Sequence, residues 1–399
     1  MRVVVCFFYA PFSPFRFLFS DFLEKNMPFY FVLSPICAIF AVSINIRSFL
    51  RYQKYTQMRV LIVNTSEKTG GAAVAANRLM DALNNNGVKA KMLVRDKETE
   101  DITVVSLPRS LRLQWNFLWE RWCVFWHLHF SRQRLWEVDM ATSGTDITRL
   151  REFQEADVIH LSWINQGMLS LKNIRKIIRS GKPVVWTMHD LWPATGICHY
   201  ARGCNRYASA CGNCPLLPNK GSKNDLSAKI FRRKKELYHR GAISFVTCSR
   251  WLERQAKGSG LFVGQRITNI PNPIDTHVFC PQDQAEARLR AGLPADKHII
   301  LFVSQRVTDE RKGMRYFIEA IDRLVARYPE MKENTAIAIL GGHSEEVNLT
   351  LPSYSLGYVS DEKQIVAIYN SADAFVLPSL EDNLPNTIME SMACGVPSI

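Results

Sequence analysis

The sequence has no low-complexity basic tail and no nucleic-acid-binding motif, and acidic residues are scarce in its first two thirds. Residues 1–275 contain 39 Lys and Arg against 20 Asp and Glu, whereas residues 276–399 contain 11 against 17. A basic surface without such a motif favours other anionic partners, such as phosphorylated substrates or an anionic membrane surface. We therefore expect no nucleic acid among the partners.

A cleavable secretion signal also fits the sequence poorly, because the first long apolar run begins late and no clear small-residue cleavage site follows it. Since nothing else suggests secretion, we do not expect the ten cysteines to form disulfides. They are scattered except for one cluster, Cys198, Cys204, Cys211 and Cys214.

Residues 1–57 differ in character from the rest of the chain. Residues 27–46 carry no charge and are numerous enough to cross a bilayer, and the arginines that follow would keep the downstream chain cytoplasmic. Two alternatives stay open. The segment is a soluble extension, or Met58 is the true start and residues 1–57 result from a mis-assigned start codon upstream of it.

From Met58 onward, apolar runs of strand length alternate with helical patterns, which is typical of an α/β fold with parallel sheets. Pro271 and Pro273, followed by a polar stretch, indicate a linker. The sequence thus predicts two Rossmann-like domains, at residues 58–275 and 276–399, with a cysteine-rich insertion at 198–214 in the first.

Ligand-facing positions are expected at the carboxyl ends of the strands, where open α/β sheets bind their ligands. Gly70 and Gly71 follow the first strand, and Gly341 lies at the tip of a later one, where glycine lets the backbone approach a ligand. His189 ends another strand and is the expected site residue of the first domain, with a purely structural role as the alternative.

Four tryptophans mark an aromatic and basic helix predicted over residues 111–136. Trp115, Trp119, Trp122 and Trp126 recur every three or four residues and therefore share one face. This face suits a membrane surface, but a tryptophan face packed on its own domain is an equal alternative.

The cysteine cluster has the spacing Cys-x5-Cys-x6-Cys-x2-Cys, and its final pair resembles a zinc knuckle. A structural zinc is our first interpretation, with reduced structural cysteines second and redox chemistry third. Catalytic zinc is disfavoured because four thiolates leave no open coordination position.

The last stretch, residues 374–399, predicts a strand, a loop with Asp382 and Asn383, and a helix that begins near Asn386 and carries Glu390. Carboxylates at such a junction suit hydroxyl groups of a ligand. In an earlier strand–helix loop, Arg306 and Lys312 suit a pyrophosphate, because cations oppose the charge that grows on a leaving phosphate.

The terminal stretch has two acids separated by seven residues and a small-residue run ending in Cys-Gly-Val-Pro. It closely resembles the C-terminal signature of the family 4 (group 1) glycosyltransferases of the GT-B fold, of the bacterial surface-polysaccharide type. The loop with Arg306 and Lys312 and the glycines at 70 and 71 also match that family. The resemblance implies two Rossmann-like domains facing a cleft, the second incomplete because the chain ends within it.

The resemblance also implies a function: retaining transfer of a sugar from a nucleotide-diphosphate sugar to a saccharide or lipid-linked acceptor. Lys312 and Arg306 would stabilise the leaving diphosphate, so that no cofactor is required for catalysis. Glu390 would hold the ribose hydroxyls, Asp382 and Asn383 the donor sugar, and His189 would line the opposite wall. The expected location is cytoplasmic, peripheral to or anchored in the inner membrane.

Two other functions stay open at this point. A nucleotide-sugar epimerase can share the same architecture, and a truncated chain could be an inactive nucleotide-binding fragment.

Overall fold

The computed structural model describes residues 58–108 and 110–399, and residues 58–399 form one compact unit. The predicted membrane segment at 27–46, and the alternatives for residues 1–57, lie outside the described residues. Among the helices described, none is both long and apolar enough to cross a bilayer.

Eleven strands within the described residues form two parallel sheets, as the alternating pattern predicts. They are β1 (Arg59–Val63), β2 (Lys89–Val94), β3 (Val104–Ser106), β4 (Val158–Leu161), β5 (Val184–Met188), β6 (Ile243–Thr247), β7 (Arg266–Asn269), β8 (His298–Arg306), β9 (Thr335–Gly342), β10 (Ser353–Gly357) and β11 (Ala374–Phe375). The first sheet has the order β3-β2-β1-β4-β5-β6-β7 and the second β10-β9-β8-β11.

The helices described cover the faces of these sheets. They are α1 (Gly71–Asn85), α2 (Leu111–His127), α3 (Arg151–Glu155), α4 (Leu171–Arg179), α5 (Leu226–His239), α6 (Arg250–Lys257), α7 (Gln284–Ala291), α8 (Met314–Arg327), α9 (Met331–Asn334), α10 (Glu362–Asn370) and α11 (Asn386–Ala393). Helix α2 is shorter than the predicted 111–136, because His129 and Phe130 adopt positive φ angles that an α-helix does not accommodate.

The order of the first sheet places a topological switch between β1 and β4. The chain leaves β1 toward β2 on one side, and β4 pairs with β1 on the other, with Val60 opposite Val158. Connections from neighbouring strands diverge at such a point and leave a crevice at the carboxyl ends. The loop with Gly70 and Gly71 therefore lies at the edge of this crevice.

Each sheet has its own apolar core. In the first sheet, Trp186 of β5 stacks on Phe245 of β6 with 5.8 Å between ring centroids. Tyr238 of α5 contacts Phe245 edge-on at 5.1 Å. In the second sheet, Phe302 packs against Phe317 of α8 on one face. Parallel strands are apolar on both faces because helices cover both. The chain between β7 and α7 is irregular, where the linker was expected, and the exact domain boundaries stay a prediction.

Candidate functional site

The structure brings Lys312 and Asp382 together at the carboxyl edge of the second sheet. Nζ of Lys312 lies 2.5 Å from Oδ2 of Asp382, and both side chains are largely buried. Lys312 belongs to the loop after β8, whereas Asp382 belongs to the loop after β11, the strand that pairs with β8. Adjacent parallel strands thus deliver the two predicted residues to one place.

Gly313 allows this approach. Its φ angle is +79°, and a Cβ atom there would lie 1.9 Å from the carbonyl oxygen of Pro378. Any larger residue would push the Lys312 loop away from the 378–383 loop. Gly341 is similarly constrained, since its Cβ would lie 1.8 Å from the carbonyl oxygen of Ser304. The predicted ligand-facing Gly341 therefore packs against β8.

Arg311, which the sequence analysis did not select, is the second cation at Asp382. Its Nη1 lies 3.3 Å from Oδ2 of Asp382, and its guanidinium stacks 4.6 Å from the ring centroid of Tyr200. Burial alone would lower the pKa of Arg311, but Tyr200 and Asp382 raise it above the usual value. The signal in the sequence was its position in the same strand–helix loop, directly before Lys312.

Arg306 lies at the end of β8 with an exposed side chain. Within the described residues, its guanidinium makes no ion pair with Asp382. Its predicted role at a pyrophosphate stays a prediction.

Glu390 is buried on α11 between two donors. Nη2 of Arg78 lies 2.7 Å from Oε1, and the hydroxyl of Tyr369 donates to Oε2 at 2.8 Å. Burial and the nearby Glu390 raise the pKa of Tyr369 well above its usual value, so the tyrosine keeps its proton. Arg78 lies on α1, two turns after the Gly70–Gly71 loop, so this contact joins the two sheets' helices.

The second terminal nitrogen of the Arg78 guanidinium, Nη1, makes no hydrogen bond to Glu390. Among the described residues, its Nη1 atom is buried without a hydrogen-bond partner, while the guanidinium lies 4.8 Å from the ring centroid of Phe279. Buried donors without partners are rare in native proteins. A ligand that reached this nitrogen beside Glu390 would supply the missing partner.

His189 directly follows β5, at the opposite side of the crevice. Its Nε2 lies 2.9 Å from the hydroxyl of Ser162, and its dense protein surroundings lower its pKa to about 4. His160, on the neighbouring β4, is buried against Thr187 and has its pKa lowered to about 3 for the same reason. Both imidazoles are neutral at physiological pH.

Asn383 connects the terminal loop to the first sheet. Its Oδ1 accepts a hydrogen bond from Ser249 at 2.6 Å, and its Nδ2 donates to the carbonyl oxygen of His189 at 3.3 Å. One turn further, the side chain of Asn386 donates to the carbonyl oxygen of Gly71 at 3.0 Å. The terminal stretch therefore faces both His189 and the glycine loop across the crevice.

The four clustered cysteines line one cavity of about 20 Å³. Burial raises the pKa of Cys198 and Cys211 to about 12, so both carry protons unless a metal binds. Among the described residues, the three donor groups within 4.8 Å of one another are the exposed His343, Glu345 and Glu346, so no three of these sulfurs are that close. The residue types fit zinc, and binding would have to draw the sulfurs inward.

Helix α2 exposes its tryptophans and buries polar residues. Trp115, Trp119, Trp122 and Trp126 are 44–59% exposed. The opposite face buries Glu120, whose carboxylate accepts a hydrogen bond from the Met140 amide at 2.8 Å, and Arg121, which pairs with Asp139 at 2.6 Å. The alternative that the tryptophan face packs on its own domain does not hold within the described residues.

Comparisons with known proteins agree with this architecture. A match spans 249 residues of WcaC from Escherichia coli (strain K12), described as a colanic acid biosynthesis glycosyl transferase, at 24% identity, covering 61% of this chain and 58% of that protein. A D-inositol 3-phosphate glycosyltransferase from Acidothermus cellulolyticus is 30% identical over 148 residues, or 34% of this chain and 32% of that protein. The chain thus matches between about one third and three fifths of these relatives' length.

Solved structures share the fold at low sequence identity. Anabaena Alr3699/HepE in complex with UDP-glucose superposes with a TM-score of 0.52 at 15% identity, covering 86% of this chain and 80% of that one. The sucrose-phosphate synthase of Thermosynechococcus elongatus reaches 0.53 at 16% identity with the same coverage. These neighbours have the GT-B arrangement, so the predicted fold class of two Rossmann-like domains is confirmed.

Two family models match the chain in succession. The model described as "Glycosyl transferases group 1" matches residues 297–399, and the one described as "Glycosyltransferase Family 4" matches residues 69–278. Because the second spans more than half of the chain, this protein belongs to glycosyltransferase family 4.

Proposed function

We propose that the protein transfers a glycosyl unit from a nucleotide-diphosphate sugar to a saccharide or lipid-linked acceptor in polysaccharide biosynthesis. The observation that carries this proposal is the meeting of Lys312, Arg311 and Asp382 at the crevice where Asn383 faces His189. WcaC is named for colanic acid biosynthesis, and Anabaena HepE was solved with UDP-glucose, which supports the reaction class and the donor type.

The donor's diphosphate would replace Asp382 as the partner of the cations. Asp382 holds Lys312 and Arg311 in place beforehand, so both cations are already positioned to stabilise negative charge on a diphosphate that displaces Asp382. Arg306, at the end of β8, would add a third positive charge. The bond between the anomeric carbon and the diphosphate oxygen breaks, and the acceptor hydroxyl forms the new bond.

The proposed stereochemistry is retention. In front-face attack, the acceptor's proton passes to the leaving phosphate oxygen, and no side-chain nucleophile is needed. For neutral His189 to hydrogen-bond a sugar hydroxyl from the opposite wall, a ring nitrogen would exchange its present partner, which is Ser162 at Nε2 or Cys248 at Nδ1. Asp382, once released from Lys312, and Asn383 would contact the donor sugar.

Glu390 would hold the nucleotide ribose while keeping its present partners. A carboxylate has about four lone-pair sites, and Arg78 and Tyr369 use two of them. The remaining sites suit two ribose hydroxyls, and the unpartnered Nη1 of Arg78 offers another donor to the same ligand.

We propose that catalysis requires no metal or other cofactor, because Lys312 and Arg311 supply the positive charge. A structural zinc at Cys198, Cys204, Cys211 and Cys214 remains part of the proposal. The exposed tryptophan face supports a location at the cytoplasmic surface of a membrane, where the protein would meet a lipid-linked acceptor.

A single labelling experiment tests the reaction. The purified full chain is incubated with a panel of labelled nucleotide sugars and membrane extract, with Lys312→Ala as the inactive reference and Lys332→Ala, an exposed lysine on α9, as the matched control. Label in an acceptor, absent only for Lys312→Ala, supports transfer. Label in a new sugar nucleotide would instead make the protein an epimerase, and binding without turnover would make it a nucleotide-binding protein.

A further inference from the structure

A second cavity, of about 540 Å³, lies beside the first turn of α2, away from the Lys312–Asp382 pair in the sequence and on the first sheet's side of the molecule. Its wall is formed by α2, by residues 142–149 and by the start of α4. The volume lies within the range of small-molecule sites.

The cavity is basic. Arg112, Arg149, Lys172 and Lys176 line it, and Asp146 is the carboxylate among them. Asp146 is 2.5 Å from Nζ of Lys176, so that pair is neutral together. In the described part of the chain, the other three cations have no carboxylate within ion-pair distance. An anionic ligand would compensate them.

The wall of the cavity is ordered by internal hydrogen bonds. Asn116 is buried and donates to the Thr145 hydroxyl at 3.2 Å, while the Ser143 hydroxyl donates to Oδ1 of Asn116 at 2.8 Å. At the start of α4, Ser170 and Asn173 form a capping box. These hydrogen bonds fix the backbone segments that carry the cations.

The cavity adjoins the tryptophan face. Arg112 lines the cavity, and Trp115 and Trp119 follow it on α2 at intervals of three and four residues. A ligand that fills the cavity with an anionic group would therefore have an apolar surface beside it. Phosphate joined to hydrocarbon matches both halves, whereas an apolar protein partner would leave three cations uncompensated.

We propose that this cavity receives the phosphate headgroups of anionic bilayer lipids while the tryptophan face of α2 enters the interface. Tryptophan favours the headgroup level of bilayers, and stable peripheral binding needs an apolar and an electrostatic contribution together. This inference rests on the proposed membrane-facing side of the molecule and is independent of the donor chemistry.

The test is co-sedimentation of the full chain with vesicles of phosphatidylcholine alone or with 30% phosphatidylglycerol as the probe. The variant Arg112→Gln/Arg149→Gln/Lys172→Gln should lose on the order of a hundredfold in partitioning to the anionic vesicles, since each basic residue contributes roughly fivefold. The matched control, Lys229→Gln/Arg233→Gln/Lys235→Gln, removes the same charge from exposed positions of α5 and should lose much less.

The variant Trp115→Ser/Trp119→Ser distinguishes the contribution of the tryptophan face from that of the headgroup cavity. It should weaken binding to both vesicle types, whereas the cavity variant should affect the anionic vesicles alone. Equal losses for the cavity variant and its α5 control would overturn the headgroup cavity and leave the membrane surface standing. Absence of vesicle binding, together with saturable binding of inorganic pyrophosphate that the cavity variant abolishes, would overturn the lipid assignment. A dimer that the tryptophan variant dissociates would overturn it as well.

Discussion

Arg78 of α1 and Glu390 of α11 form an ion pair of 2.7 Å although 312 residues separate them in the chain. Their side chains are 13% and 10% exposed, so water screens the pair little. The same carboxylate is the residue proposed to hold the ribose. Thus a residue of the first sheet's helix layer fixes a residue of the proposed donor site in the second.

Arg78→Met should destabilise the fold, because it leaves Glu390 buried with its tyrosine partner alone. Removing one partner of a buried pair costs about 3–5 kcal/mol. The measurement is the free energy of unfolding in urea. Arg290→Met removes an exposed pair with Glu286 and should change it by less than about 1 kcal/mol. Equal effects of the two substitutions would contradict the buried pair.

Arg311→Ala should reduce kcat by about 100-fold, the range for loss of one preorganised charge at a transition state. Arg306→Ala should reduce it less, because its guanidinium is exposed and makes no ion pair with Asp382 within the described residues. Steady-state rates with the identified donor provide the comparison. A larger effect at Arg306 would show that the ligand reorganises this loop.

Gly313→Ala should lower kcat and stability together, because the new Cβ would collide with the carbonyl of Pro378 and displace Lys312. Gly292→Ala is the matched control, with a similar φ of +67° but open space around the added carbon. The control should cost about 1 kcal/mol of stability and leave kcat unchanged. A full rate in Gly313→Ala would separate the loop contact from catalysis.

His160 should make stability fall as the medium is acidified from pH 7 to pH 5. Its folded pKa, lowered to about 3, is below the usual value near 6.5, so the unfolded chain binds the proton first. Its contribution is complete above pH 6.5 and is lost as pH falls, by about 2 kcal/mol at pH 5. His160→Gln should flatten the urea-derived pH profile by that amount, whereas exposed His298→Gln should not.

The cysteine cluster should retain about one zinc per chain in elemental analysis, a number that follows from four thiolate ligands per ion. Cys214→Ser should release it, whereas Cys280→Ser, outside the cluster, should not. A metal content of less than about 0.2 per chain in the wild type would remove the zinc interpretation and leave reduced structural cysteines.

The sequence by itself determined the order of strands and helices. Parallel strands buried on both faces are apolar throughout, and helix caps such as Ser170 and Ser249 are local signals, so both are readable without neighbours. The acids at 382 and 390 and the cation at 312 were also readable, because they follow strands whose carboxyl ends must share one edge.

Only the tertiary structure decided which side chains meet. Arg78 lies on an ordinary helix, and nothing in the local sequence distinguishes it from arginines that stay exposed; its burial follows from the packing of α1 against α11. The spacing of the tryptophans determined that the four rings share one face of the helix. Whether that face is buried depended on which other segments pack against it. Periodicity reports relative direction along one helix, whereas burial and ion pairing depend on distances between distant parts of the chain.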